Sequence, residues 1–345
     1  MATITFEEIC RTTSAELIEM AEAGALQNSF TPAGLYDSLI DPANANLADI
    51  QPVLAQGGMK NKVVLRYTQP TSEAAILDAT SSVCAGGVET NYVFDTVEAD
   101  QVSATPVYLF DDAQMREICE AGSTFRQRVF LGAENALRRN INEKLITLFI
   151  AGAGNLDGDN DKSYTFLYQD GAITTALDDG MIEFQTDLMD TGMTGVPRIV
   201  TGGVMYQWLQ KQGIACCNMN GFDISQMGDI AAFYDNQIAA ALPSKPNTFF
   251  AYAPGAAIFL GTDQNIGEFR KVVEGVYLHD VYVSPVTGET YDVNAHYDDC
   301  DRKWRFQMSK RFGLWQLPKN LYPSGDPRNN VNWNFTPQAV KEVAA

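Results

Sequence analysis

Apolar residues return at helical spacing through residues 111–151, DDAQMREICEAGSTFRQRVFLGAENALRRNINEKLITLFIA: Met115, Ile118, Cys119, Phe125, Val129, Leu137, Ile141, Leu145 and Leu148. Arg116, Arg126, Arg128, Arg138, Arg139 and Glu143 mostly fall between them. Asp111 and Asp112 suit the positive end of a helix dipole, and Gly152 and Gly154 supply a stop. The pattern predicts one helix of roughly 40 residues, about 60 Å long at ~1.5 Å per residue. Since mean helices run to ~11–12 residues, such an element reads as a strut or an assembly axis. Gly122 and Gly132 each lower helix propensity by about 1 kcal/mol against Ala, and two helices broken near Gly132 are the alternative. The apolar series is not a sustained heptad, which argues against a coiled coil.

Elsewhere the period changes. Residues 59–68 and 90–110 alternate apolar with polar positions and predict strands, joined by the small, polar, Gly-terminated stretch TQPTSEAAILDATSSVCAGG. Two strands with that linker make a long projecting hairpin, the kind of excursion that is usually functional. A short helix is predicted at 14–23, followed by a Pro- and Asn-spaced segment that reads as an arm docked on something larger. Further helices are predicted at 176–193 and 203–213, a buried strand at 197–203, and strand-length apolar runs set among loops at 248–253 and 256–261. Residues 271–316 are strand-rich, with Pro285 and Gly288 placed for a hairpin turn, and the last 28 residues read as a tail.

Composition narrows the function classes. The 345 residues are 46% hydrophobic, enough for a large core, yet no stretch is apolar enough to span a membrane. The N-terminus is acidic and is not read as a signal peptide. Six cysteines, two of them adjacent at Cys216 and Cys217, do not make a disulfide scaffold and suit a reducing cytosol. Net charge is −19, from 43 acidic and 24 basic residues, which disfavours a sequence-neutral nucleic-acid binder. The local group Arg302, Lys303, Arg305, Lys310 and Arg311 reads as a solvated or interface face of a strand pair.

Candidate chemistry is thin. DGDNDKS at 157–163 alternates Asp157, Asp159 and Asp161, but Lys162 and Tyr168 stand where a calcium loop needs Gly and Glu. His279, His296, Asp280, Asp292, Asp298, Asp299 and Cys300 could assemble a metal-assisted hydrolase, though without the spacing of a known metal motif. GAGNLDGD and VTGGVMY both fail the phosphate-loop pattern. No cofactor, metal or catalytic residue is assigned, and an enzyme is not expected.

The order of parts resembles the major capsid protein of tailed bacteriophages, the Hong Kong 97-type shell fold shared with encapsulins. It is carried by element order, by the length of the central helix, and by stretches such as PRIVTGGVMYQWLQKQG and SPVTGETYDVNAHYDDCDRKWRFQMSKRFG. The resemblance implies an α+β chain divided into an N-terminal arm (1–55), an extended β-hairpin loop (56–110) and a peripheral domain with its spine helix (111–174). An axial domain (175–265), returning peripheral-domain strands (266–318) and a C-terminal tail (319–345) complete it.

It also implies a function: self-assembly through pentamers and hexamers into an icosahedral virion shell, built in the bacterial host cytoplasm around double-stranded DNA without sequence-specific binding. Separate scaffolding, portal and decoration proteins are the implied partners, and no membrane is expected. An encapsulin-like nanocompartment is the alternative. The presumed loop tip, 71–88, lacks lysine, which speaks against covalent cross-linking there, and Gly57, Gly58, Gly86 and Gly87 bracket the loop as candidate hinges. Subunit contacts are expected at Tyr92 and Phe94 in the loop, Arg126, Arg128, Arg138 and Arg139 on the spine, and Trp333 and Phe335 in the tail.

Overall fold

The computed structural model describes residues 30–41, 44, 51–54, 62–68, 92–98, 101–111, 113–114, 124–152, 163–167, 183–184, 197–203, 205–207, 225–227, 230–262, 277–284, 287–298, 300–317 and 334–342. The predicted helix at 14–23, the loop tip, the four bracketing glycines and the Asp157–Asp161 run lie outside them.

The acidic pair opens a helical turn at 113–114; residues 115–123, through which the predicted helix of roughly 40 residues would run, lie outside the described residues. Asp111 Oδ1 accepts from the Gln114 N–H at 2.7 Å, while Gln114 Oε1 accepts from the Asp111 N–H at 3.0 Å. That reciprocal arrangement is a capping box, which satisfies donors left over at a helix start. Ala113 and Gln114 are helical, and helix α2 runs from Thr124 to Gly152; the shorter α1 covers Gly34–Ile40.

Helix α2 buries Phe130, Ala133, Leu137, Ile141, Leu145, Ile146 and Phe149 on one face. Its first half lies on a six-stranded antiparallel sheet ordered β11 (Ala257–Thr262), β14 (Lys303–Gln316), β13 (Thr290–Asp298), β12 (Tyr277–Val283), with β4 (Gln101–Ala104) and β5 (Tyr108–Phe110) also paired to β14. There Phe130 meets Tyr282 and Phe306 with ring centroids 5.3 and 5.4 Å apart. The second half lies on a five-stranded sheet ordered β15 (Asn334–Phe335), β10 (Phe249–Tyr252), β7 (Arg198–Thr201), β9 (Ile230–Tyr234), β8 (Ser225–Met227), where Phe149 meets Phe250 at 5.1 Å. One helix thus spans two sheets, and a single apolar cluster runs through all three layers. The continuous apolar runs at 197–203, 248–253 and 256–261 become β7, β10 and β11, the first two buried along their whole length.

Beside this body β1 (Gln51–Leu54), β2 (Lys62–Thr68) and β3 (Tyr92–Glu98) form an antiparallel three-stranded sheet. β3 is followed after two residues by β4, which bonds β14. Between the Ala104–Ser309 and Tyr108–Phe306 pairs, three residues face two, so Thr105–Val107 is a bulge. Thr105 holds it, its N–H donating to Met308 O at 2.8 Å and its hydroxyl accepting from the Met308 N–H at 3.0 Å. The hairpin is therefore rooted in the returning sheet through residues 101–110.

Two stretches expected to lie on other molecules are built into this chain. Residues 33–39, which the sequence reading assigns to an arm, are buried between α2 and both sheets. Within the tail, β15 extends the five-stranded sheet, and β16 (Gln338–Glu342) pairs in parallel with β6 (Ser163–Leu167).

Candidate functional site

Helix α2 places three polar residues, Glu134, Arg138 and Asn142, in the middle of its buried face, each at 1% exposure or less. A buried polar side chain needs partners, and the three find different ones. Glu134 Oε2 accepts from the Tyr282 hydroxyl at 3.1 Å. Arg138 is ion-paired with Asp37 on α1, and its guanidinium lies 4.7 Å from the Phe30 ring centroid. Asn142 Oδ1 accepts from the Tyr36 N–H at 2.9 Å, while its amide donates to Asp235 Oδ2 at 2.8 Å and to Gln237 Oε1 at 2.7 Å.

These contacts also explain α1. Its N-cap residue is Ala33, which has no side-chain cap to offer. Asp235, 200 residues away, accepts from the Leu35 N–H at 3.0 Å and from the Gly34 N–H, and Asn142 takes the Tyr36 N–H. The orphan donors of the first turn are thus capped from the end of β9 and from α2. At the other end the Tyr252 hydroxyl donates to Ser38 Oγ at 2.6 Å, and Arg198 Nη1 donates to Ser38 O at 3.1 Å and to Asp41 Oδ2 at 2.9 Å. A seven-residue helix too short to persist alone is held on every side.

Burial dominates the electrostatics of the junction. It pushes the Asp37 carboxyl up to about 6, against the opposing pull of Arg138. Glu134 and Asp235 are pushed up by the same cause. Since the folded chain holds these protons more tightly than the unfolded one, the Asp37 contribution is complete below 3.8 and declines as pH rises through about 6. Unfolding free energy of the free chain should therefore be higher near about pH 5 than near about pH 7. Urea titration at the two values checks this, and a fall on acidification would show the carboxyls to be ionised and stabilising. Asp298, on the surface, behaves oppositely: the Cys300 N–H and Arg305 hold it low, so its contribution is lost only at stronger acidity.

The expected contact residues are dispersed. Tyr92 and Phe94 lie on β3, opposite Thr68 and Arg66. Arg126 and Arg128 lie in the first turns of α2, and Arg139 is exposed. Arg138 turns inward, because its partner Asp37 sits in the core. Phe335 lies in β15 opposite Ala251, and Trp333 is outside the described residues. The basic group separates as well: Lys310 is buried and paired with Glu289, while Arg305 bridges Asp298 and Asp301. For the hydrolase alternative, the sheet register sets His279 opposite Asn294, and His296 opposite Tyr277 and Arg305. Among the described residues no group of three metal-ligating side chains comes together.

An outward-facing feature escaped the sequence reading. Among the described residues the exposed large hydrophobics are Val102 (51%), Val107 (47%), Leu109 (49%) and Val283 (44%). Val102 lies on β4, Leu109 on β5 and Val107 in the bulge between them, on a stretch that pairs with β14.

No protein-family model and no curated protein matches the sequence. Among solved structures the chain is similar to the capsid asymmetric unit of cyanophage A-1(L), at 11% identity over 90% of this chain and 94% of that one, with a TM-score of 0.49. It is also similar to a chain of Mycobacterium phage Che8 (13% identity, 89% and 92% covered, TM-score 0.45). The capsid of Ralstonia phage GP4 is a third (10% identity, 83% and 85% covered, TM-score 0.41).

Proposed function

We propose that this chain is a structural subunit whose work is to associate with copies of itself into a closed shell. More particularly, it is read as the major capsid protein of a tailed phage, forming an icosahedral virion shell around double-stranded DNA. The observation that carries the reading is the way the hairpin is mounted. Its base is welded to β14 through β4 and β5, while β2 bonds β3 on one side and β1 on the other. A lever so anchored directs contacts away from its own core, next to a helix that braces both sheets. The arm, hairpin and tail assignments, the pentamers and hexamers, and the scaffolding, portal and decoration partners all belong to this proposal.

The apolar row of Val102, Val107 and Leu109 supports it, because it lies on the strand continuous with the hairpin, where a second copy would seat. Val102→Asp combined with Leu109→Asp is expected to abolish shells and capsomers. Being surface changes, they should alter the free chain's stability by only about 0.5 kcal/mol. Electron microscopy and light scattering of the purified chain provide the readout. Closed shells or free pentamers and hexamers from the parent chain support the reading, and a uniform monomer at high concentration, with or without scaffold, overturns it. Nucleic acid inside particles points to a virus, and a defined enzyme cargo to a nanocompartment.

A further inference from the structure

Glu134, Arg138 and Asn142 stand at successive four-residue steps on α2, about 6 Å apart along the axis. We infer that this buried row is a register code, fixing the axial position of α2 against both sheets so that the helix cannot slip by a turn. The apolar residues alone do not fix it. Leu137, Ile141 and Leu145, at four-residue steps along the middle of α2, are of similar size and look much the same after a one-turn shift.

The polar rungs, in contrast, each meet a different chemistry. Glu134 is an acceptor facing the Tyr282 hydroxyl, Arg138 is a cation facing Asp37, and Asn142 both accepts from the Tyr36 N–H and donates to Asp235. A one-turn slip in one direction sets Phe130 against the Tyr282 hydroxyl and Glu134 against Asp37, a buried pair of carboxyls, with Arg138 against the Tyr36 N–H. Slipping the other way sets Ile146 against both the Tyr36 N–H and the Asp235 carboxylate, and leaves Arg138 without Asp37. Each wrong register sets rungs against groups of unfitting chemistry, while the observed one gives each rung at least one partner that suits it. The partners come from β12, from α1 and from the end of β9, so the row ties three distant parts of the chain to one helix position.

Its consequence for a shell rests on the proposed function: angular adjustment between subunits would fall outside this junction. The register itself does not depend on assembly and is read on the free chain. Backbone hydrogen exchange of the full-length protein tests it. The Leu35 and Tyr36 amides, held by Asp235 and Asn142, are expected to exchange only through global unfolding, with the denaturant dependence of the core amides of α2. Exchange of these two by local opening, with α2 still protected, would overturn the inference. In the double variant Asp37→Leu/Arg138→Met, which exchanges the ion pair for apolar side chains, residues 33–37 are expected to exchange about tenfold faster and as two populations while the chain stays folded. One slowly exchanging population, as in the parent, would overturn it equally. Failure of that variant to fold leaves the decision to the parent chain's own exchange, which needs no substitution.

Discussion

Arg138→Met lowers the stability of the free chain by about 3–5 kcal/mol, the usual effect of removing one partner from a buried ion pair. Met fills similar volume, so the loss is electrostatic: the Asp37 side chain, 5% exposed, is left as an anion without its cation. Against a total stability of about 5–15 kcal/mol, such a loss leaves much of the chain unfolded at physiological temperature. The pH dependence identifies the cause. Burial already raises the Asp37 carboxyl to about 6, and without Arg138 it rises further, so acidification neutralises the orphaned charge and restores part of the lost stability. Arg139→Met, one residue along and exposed, is the control and should shift stability by only about 0.5 kcal/mol. Urea unfolding of the two variants at neutral and mildly acid pH decides the matter. Equal effects from Arg138 and Arg139, or no acid recovery, would show that the pair does not hold α1 to α2.

The contrast between these neighbouring arginines marks where sequence patterning succeeds. The helical period picks out Leu137, Ile141 and Leu145, which are buried, and the acidic pair marks a helical turn that the Asp111–Gln114 capping box opens. It assigns Arg138 to an outer face with Arg139, because charge ordinarily marks solvent. Phase carried the missing signal: Glu134, Arg138 and Asn142 each sit within one residue of the apolar series Ala133, Leu137 and Ile141. Apolar runs sufficed for β7 and β10, since strands covered on both faces need no alternation. Helix α1 was illegible for a different reason. GLYDSLI is short and follows Ala33, and its capping groups lie at Asn142 and Asp235, so no local window contains them. The tail strands share that difficulty, because β15 and β16 are defined by partners at 249–252 and 163–167. Residues 101–110 read as strand, but that they bond β14 is set by partners at 304–312, which no local window contains.

Gly34→Ala opposes two general effects whose sizes can be compared. Ala improves helix propensity by about 1 kcal/mol at an interior position, and less at the first position of α1, where Gly34 sits. A methyl group there would lie 2.3 Å from the Tyr234 carbonyl oxygen and 2.9 Å from Asp235 Cβ. The obstacle is backbone, in the buried strand end that also presents the Asp235 carboxylate to the Gly34 and Leu35 N–H groups. Relieving the overlap moves α1 away from β9 and lengthens those hydrogen bonds, adding their loss to overpacking that itself costs about 1–3 kcal/mol. Destabilisation by about 3 kcal/mol is expected, with the steric term prevailing over propensity. Gly132→Ala separates the two effects: it is exposed on α2 with nothing within 4 Å of the added carbon, so propensity acts alone and the chain gains up to about 1 kcal/mol. Thermal unfolding of both variants gives the two signs directly. A neutral or stabilising Gly34→Ala would mean that α1 does not sit against β9 in the folded chain, and that residues 33–40 belong with an arm able to leave the body.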